Sequence, residues 1–505
     1  MAVSNPRTLT GVHDAYQSRS DALWLTGLIL LAFALRIPGL DASLWYDEAY
    51  TLAHYVRPPL AETLLTYEAL NNHVFHTVLA KASVTIFGES AWALRLPAML
   101  FGVASVWALW QLCREVVGPW ETRLAALLMA VSYHHVWFSQ NARGYTGLLF
   151  FGLLATWLLV CMVRRPTWRG WIAYGICLAL AMYTHLSAAF FFLAHGVAFM
   201  LVYLWRAAVP VAGPMPSLWK PAVGCGLGLI VTFALYSPVI GQMVEAFAGV
   251  KGEDLSAAAE ASIAEWKSPL WMLEEVAAGF GAFGPIVIVI VPVVLAVLLI
   301  GGIALFRRTA LVPLTLVLHV ALTVAILVAL SFRVWPRYFL IDIGLICLLL
   351  IHGAFVIGNS LQLLPVGDWW SKGERLGIAL AALGVAASLV LLPKNYLHPK
   401  QNYRGATNFI EEHRSPDSTV ITVGLGATPW QNVFAPQWKY AETLEQFRQL
   451  YTPGQETWVV YTFPDVNEHR HAAIFQAAAG NFEEARYFHG TLNDGGIVVL
   501  RSKEP

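Results

Sequence analysis

Charge is what this chain has least of. Asp, Glu, Lys and Arg make up only 13% of its 505 residues, about half the share usual in a soluble domain. The 32 basic and 32 acidic side chains cancel, so no basic surface points to nucleic acid. Cysteine is also sparse. Cys113, Cys161, Cys177, Cys225 and Cys347 each fall in an apolar run, and none belongs to a Cys-x-x-Cys pair. That pattern excludes a disulfide framework and a zinc knuckle, leaving five small buried hydrophobes. A glycine-rich phosphate loop is missing too, since Gly424-Leu425-Gly426 is an isolated pair. There is no internal repeat of fixed period and no low-complexity segment.

What the chain has in abundance is apolar sequence. Hydrophobic residues reach 57%, with 20 Trp, and mean hydropathy is +0.58. A helix crossing a bilayer needs roughly 20 mostly apolar residues. Eleven runs approach that length: Ala22–Pro38, Ala91–Cys113, Arg123–Phe138, Tyr145–Val163, Trp171–His185, Ser187–Trp205, Ala222–Ile240, Gly279–Phe306, Leu311–Leu330, Tyr338–Ile357 and Leu376–Pro393. The expected fold class is therefore an α-helical polytopic membrane protein with about eleven spans. Arg7 and Arg19 precede the first run, which reads as an uncleaved signal-anchor helix.

Basic residues cluster in alternate loops: Arg114 with Arg123, Arg164, Arg165 and Arg169, Arg206 with Lys220, Arg307 and Arg308, and Lys372 with Arg375. The positive-inside rule makes these cytoplasmic, with a cytoplasmic N-terminus and an extracytoplasmic tail. The short stretch Asn72–Phe87 then cannot cross; it is expected to lie along the outer membrane surface or to dip in and return. Residues 1–393 form the membrane domain, with external loops at 41–90 and 241–278. Residues 394–505 form a small soluble domain, in which strand-like runs at Thr419–Val423, Thr457–Thr462 and Gly496–Leu500 alternate with helical patterns at Asn408–His413, Ala441–Leu450 and Arg470–Ala479. That alternation predicts an α/β fold. The tail either covers an external site and meets an acceptor, or serves only as a folding accessory.

Polar residues near apolar runs gather on the external side, which suits a site at one interface better than a channel through the membrane. Trp45-Tyr46-Asp47-Glu48-Ala49-Tyr50 follows the first run. Adjacent helical residues point about 100° apart, so one carboxylate can serve a substrate while a cation holds the other. The alternative is that both cap the next helix. His73 and His76 share a helical face. With Glu48 they could hold a divalent metal; otherwise they hydrogen-bond a sugar or orient Asp47 or Glu48. Arg143, and Arg333 with Arg337, carry planar forks suited to phosphate, or anchor their helices in the lipid headgroups. Carboxylates facing arginines at a membrane surface suit a lipid-linked phosphate sugar. The arginines would meet the phosphate, a groove between helices the polyprenyl chain, and a carboxylate the acceptor's hydroxyl proton.

These motifs resemble the GT-C superfamily of membrane glycosyltransferases, and within it the protein O-mannosyltransferase and aminoarabinose (lipid A) transferase group, glycosyltransferase family 39. The likeness covers Asp41–Val160 well and Arg333–Tyr338 more loosely. It implies that Asp47 is the catalytic base, with Glu48 beside it. Asn72-His73-Val74-Phe75 stands where the family has a His-Pro-Pro-Leu-like segment, without its prolines. Phe87-Gly88-Glu89-Ser90 through Leu94-Arg95-Leu96-Pro97 matches the start of the next helix. Ser139-Gln140-Asn141-Ala142-Arg143-Gly144-Tyr145 resembles Ser-x-Glu-Ala-Arg-x-Tyr, with Asn141 where Glu is common, and Arg337-Tyr338 resembles a late pair near the donor phosphate. The resemblance implies an inverting transferase in a bacterial inner membrane, moving one sugar from a polyprenyl phosphate to an acceptor hydroxyl on a lipid, glycan or protein. Glu48, Asn72, His73, His76 and Tyr145 would position substrate; Arg143, Arg333, Arg337 and Tyr338 would hold the donor phosphate. No cofactor beyond that divalent metal is implied, and membrane lipids are the remaining partner. A flippase of a lipid-linked glycan is the reading from another class, but it predicts two similar halves with paired broken helices, and Pro285 and Pro292 have no counterpart. An O-antigen ligase or polymerase would fit the paired Asp-Glu less well.

Overall fold

The computed structural model describes residues 6–67, 72–208, 217–252, 284–330, 332, 334–361, 373–492 and 494–503. Arg333 and most of the loop at 241–278 lie outside these residues. All eleven apolar runs contain helix. Among the described residues, seven helices are long and apolar enough to cross a membrane, by length and composition. Four of the eleven runs are not among them, and for one of these, Arg123–Phe138, the cause is local. Ser132 takes an extended conformation there and divides the run into helices Pro119–Val131 and Tyr133–Ser139. Helix Val74–Phe87 has 14 residues, short of the roughly 20 that a crossing needs.

The chain forms two compact units. The first comprises 1–37, 98–139 and 144–390; the second comprises 38–97, 140–143 and 391–505. Within the first, glycines let helices touch backbone to backbone. Gly175 on helix Trp168–Thr184 sits so close to Gly224 on helix Trp219–Tyr236 that an added Cβ would strike the Gly224 carbonyl. Without a hydrophobic force between helices in lipid, such close packing supplies much of their association. Buried polar pairs add to it. His319 Nδ1 lies 2.7 Å from Asp342 Oδ2, and His352 Nδ1 lies 2.6 Å from Glu121 Oε1. The first pair ties the 3-10 segment Pro336–Asp342 to helix Leu311–Ala329. All five cysteines are free thiols.

The second unit contains a five-stranded sheet: β1 (Thr419–Val423), β2 (Lys439–Ala441), β3 (Thr457–Thr462), β4 (Phe482–Phe488) and β5 (Ile497–Ser502), in the order β2-β1-β3-β5-β4. β1 pairs parallel with β2 and β3, and β5 pairs antiparallel with β3 and β4. Every residue of β3 is buried, because both sheet faces are covered. Trp458 and Val460 face a core with Tyr403, Ile410 and Trp430. Val459 and Tyr461 face the other, with Phe447 and Ile474. The β1 and β3 ranges are those the sequence predicts. β2 and β4 are additions: β2 has three residues, and β4 is a charged edge strand whose middle is exposed. Ala441, expected to begin a helix, ends β2; the helix starts at Leu444.

Substituting Gly175 with Leu is expected to force the two helices apart and cost roughly 1–3 kcal/mol. Thermal unfolding of the protein in detergent checks this; an unchanged midpoint contradicts the packing described.

Candidate active site

The site residues of the second unit are organised by Glu48. The helix Tyr46–Thr51 begins after extended Trp45, and Glu48 in its first turn reaches back to accept from the Trp45 N–H at 3.3 Å. Its carboxylate is wholly buried and is gripped by Arg95 on two nitrogens, Nε at 2.8 Å and Nη2 at 2.5 Å. The Ala142 N–H donates to it as well, at 2.7 Å. The remaining Arg95 donors take carbonyls of the preceding loop: Leu40 and Ala42 at 2.9 Å, and Ser43 at 3.0 Å. Burial alone would raise the Glu48 carboxyl; the charge and hydrogen bonds of Arg95, with help from Lys400 and Ala142, outweigh it and hold the group below its usual range.

Asp47 points elsewhere. It is partly exposed, and its Oδ2 lies 3.7 Å from Nη2 of buried Arg143. Arg143 is fixed from behind: Nη1 donates to Thr51 Oγ1 at 3.2 Å, and Nη2 lies 3.1 Å from His73 Nε2. Its Nε is buried without a hydrogen-bond partner. The segment carrying Arg143 is held by two further contacts: Trp45 Nε1 donates to Asn141 Oδ1 at 3.0 Å, and Lys400 Nζ donates to the Gln140 carbonyl at 2.7 Å. Burial, then the charge of Arg95, pushes Lys400 down to about 7 against the pull of Glu48.

Several expectations need correction. Glu48, expected to position substrate, has both carboxylate oxygens engaged inside the protein and serves as an anchor. Asn72 is likewise turned inward: its Nδ2 donates to the Thr66 carbonyl at 3.2 Å, and its Oδ1 accepts from Thr77 Oγ1 at 3.3 Å. His76 is buried, and neither ring nitrogen makes a hydrogen bond. Burial and the Arg143 charge press its pKa down to about 3, only partly offset by Glu48. The divalent-metal reading of Glu48, His73 and His76 does not fit. Among the described residues no three His, Cys, Asp or Glu side chains gather as a metal site, Arg95 occupies Glu48, and His73 faces a guanidinium.

The other candidates fall in the first unit. Tyr145 opens helix Tyr145–Arg164, and its ring lies 5.5 Å from that of His185, which in turn lies 6.1 Å from Tyr338. Arg337 stacks on Trp335 at 4.2 Å. The structure thus groups Tyr145, Arg337 and Tyr338 in one unit and Asp47, Arg143 and His73 in the other. Sequence reasoning missed Arg95 as the partner of Glu48, and Lys400. Arg95 had a signal, a lone arginine near the start of an apolar run; Lys400 had none.

The tail packs directly on the Asp47 helix. Gln401, fully buried, accepts from the Tyr46 N–H at 2.9 Å and donates to Thr462 Oγ1 at 2.8 Å. Arg57 donates to the Asn432 carbonyl at 2.6 Å. Val433 and Phe434 join a core with Leu44, Leu52, Val56 and Ala142.

A fold of this kind, with such a loop, defines a class. Over 96% of its length the chain superimposes on ArnT from Cupriavidus metallidurans in the apo state (98% of that chain, TM-score 0.56, 14% identity). It also matches ArnT bound to undecaprenyl phosphate over 95% of its length (97% of that chain, TM-score 0.52, 14% identity). The Archaeoglobus fulgidus oligosaccharyltransferase matches over 93% of this chain and 72% of that one (TM-score 0.55, 13% identity). The chain thus shares the fold of these membrane proteins. Residues 74–236 match the family described as dolichyl-phosphate-mannose-protein mannosyltransferase. YkcB of Bacillus subtilis (strain 168), which carries a provisional mannosyltransferase name, is 31% identical over 136 residues. That match spans 27% of this chain and about a fifth (19%) of the length of YkcB.

Removing one member of a buried pair costs roughly 3–5 kcal/mol. Glu48→Ala is therefore expected to lower the unfolding midpoint far more than Asp47→Asn does; equal shifts in a thermal melt contradict the division of roles. A second expectation concerns Lys400. Its folded pKa lies below its unfolded one, so the unfolded state holds the extra proton between about pH 7 and 10 and stability rises with pH across that window. Lys400→Met should flatten the rise between pH 7 and 9.5 in a pH series of melts.

Proposed function

We propose that this protein is an inverting glycosyltransferase, moving a single sugar from a polyprenyl-phosphate carrier to an acceptor hydroxyl at the extracytoplasmic face of a bacterial plasma membrane. The observation that carries the reading is the divergence of two neighbouring carboxylates. Glu48 is sequestered by Arg95, while Asp47 remains partly exposed beside buried Arg143. A carboxylate that the fold leaves open next to a fixed guanidinium suits proton abstraction from a substrate. The GT-C fold supports the same chemistry, and the solved ArnT complex carries undecaprenyl phosphate.

In the proposed step the acceptor oxygen forms a bond to the anomeric carbon of the donor. Asp47 takes the hydroxyl proton. The bond from that carbon to the phosphate oxygen breaks, and the electron pair leaves with the polyprenyl phosphate. Charge growing on the departing phosphate needs fixed cations, the kind of stabilisation that usually contributes most to such reactions. Arg143 is proposed for that role; from the sequence resemblance, Arg337, Tyr338 and Arg333 are proposed phosphate contacts as well. His73, at 3.1 Å from Arg143, sets its orientation. Tyr145, with His185 against its ring, is proposed to line the donor sugar.

With purified protein and a polyprenyl-phosphate sugar, Asp47→Asn is expected to reduce transfer by a factor on the order of 10²–10⁴ while donor binding persists. Surviving turnover removes Asp47 as the base. Arg143→Ala and Arg337→Ala should raise the KM for donor more than that for acceptor; an unchanged donor KM overturns the phosphate assignment. A carrier that changes leaflet with its sugar still attached identifies a flippase instead.

A further inference from the structure

The Asp47 helix carries a row of aromatic side chains on one side. Tyr46, Tyr50 and His54 follow at intervals of four and so share a face. The helix passes into a π turn at Leu52–Val56, an uncommon form that recurs at functional sites. His54 stacks on Tyr50, with ring centroids 4.2 Å apart and planes inclined by 27°. Tyr46 and Tyr50 lie 6.4 Å apart. At the other end of the row stands Phe463 from the tail, 5.9 Å from Tyr46 and edge-on to it. None of these four residues is buried, and His54 is exposed.

Phe463 holds this place at a cost. Its φ is +52° and ψ is 58°, a left-handed and strained conformation that a bulky side chain rarely takes. It closes β3, directly after Thr462, which accepts the Gln401 bond. The tail therefore spends backbone strain to set one ring beside the residue preceding Asp47. An aromatic belt that merely meets lipid headgroups would call for no ring from a soluble domain and no strained backbone.

Asp47 precedes Tyr50 and Thr51 by three and four residues. The three residues therefore share a side of the helix, and Thr51 holds the Arg143 that lies 3.7 Å from Asp47. Rings of this kind offer an apolar face with polar tips. A pyranose or furanose offers the complement: a patch of C–H bonds on one face and hydroxyls around its edge. A ring seated on Tyr50 would bring an edge hydroxyl toward Asp47. We propose that the row Phe463–Tyr46–Tyr50–His54 is a saccharide-binding subsite that seats the acceptor, so that the acceptor is itself a glycan or glycolipid. This deepens the transferase reading and rests on it. A serine- or threonine-bearing peptide is the competing acceptor.

The test measures binding apart from turnover. The full-length protein in nanodiscs is mixed with methyl glycosides of mannose, glucose, galactose and N-acetylglucosamine, and separately with a Ser/Thr-rich peptide. Saturation-transfer NMR reads magnetisation passing from aromatic protons to ligand C–H protons. At least one glycoside is expected to receive it. The signal should fall roughly fivefold or more in Tyr50→Ala and in His54→Ala, the scale of one lost ring contact, and return in Tyr50→Phe. Should Tyr50→Ala fail to fold, exposed His54→Ala carries the comparison. Wild-type signals no stronger than those of the alanine variants overturn the subsite, as does a peptide that alone receives magnetisation. Asp47-dependent transfer to peptide with no glycoside binding would sink this inference and leave the transferase standing; ring-dependent glycoside binding on a protein that never cleaves the donor would do the reverse.

Discussion

The second unit depends on the fully buried pair of Glu48 and Arg95. A carboxylate and a guanidinium taken out of water are costly unless each is fully hydrogen-bonded. Here they are: Arg95 divides its donors between Glu48 and three carbonyls of the loop before it, and Glu48 adds the Trp45 and Ala142 amides. One ion pair thereby joins three stretches of chain that are distant in sequence: the loop at 40–48, the start of helix Ala91–Val116 and the segment 140–143. The position of Arg143 follows from it, since Arg143 comes directly after the residue whose amide Glu48 holds. Asp47 stays open because its neighbour is the one turned inward.

The tail participates in the same construction. Gln401 connects the first residue of the Asp47 helix to β3, and Lys400 beside it holds Gln140. The loops that end β1 and β3 supply Phe434 and Phe463 to the loop at 38–97. These are the carboxyl ends of parallel strands, where open α/β sheets commonly place ligands. In this protein they are applied to a membrane-protein loop instead.

Part of this was legible in the sequence because it rests on local rules. Long apolar runs mark helices whatever surrounds them, and β1 and β3 stand out as short runs rich in β-branched and aromatic residues. β4 escaped because Phe482-Glu483-Glu484-Ala485-Arg486-Tyr487-Phe488 is an edge strand, and an edge tolerates charge that a central strand does not. The break at Ser132 lay inside an apolar run and carried no proline or glycine to announce it. Among the site residues, Asp47 and Arg143 were recognisable as charged groups at the ends of apolar runs. The fate of Glu48 was not, since nothing in Asp47-Glu48 says which of two adjacent acids turns inward.

The sequence by itself determined the class of molecule: its hydrophobic runs call for a bilayer as the solvent in which the chain buries its surface, and its motifs resemble those of a known superfamily. Tertiary structure decided the surroundings of each group. Whether a carboxylate is sequestered or left partly exposed depends on which cation reaches it, and Arg95 reaches Glu48 across 47 residues of chain. Whether a lysine titrates near neutrality depends on burial, which for Lys400 comes from contacts made some 260 residues away. Such long-range pairing is settled only when the chain closes on itself, because no local pattern encodes the distance between groups that sequence keeps apart.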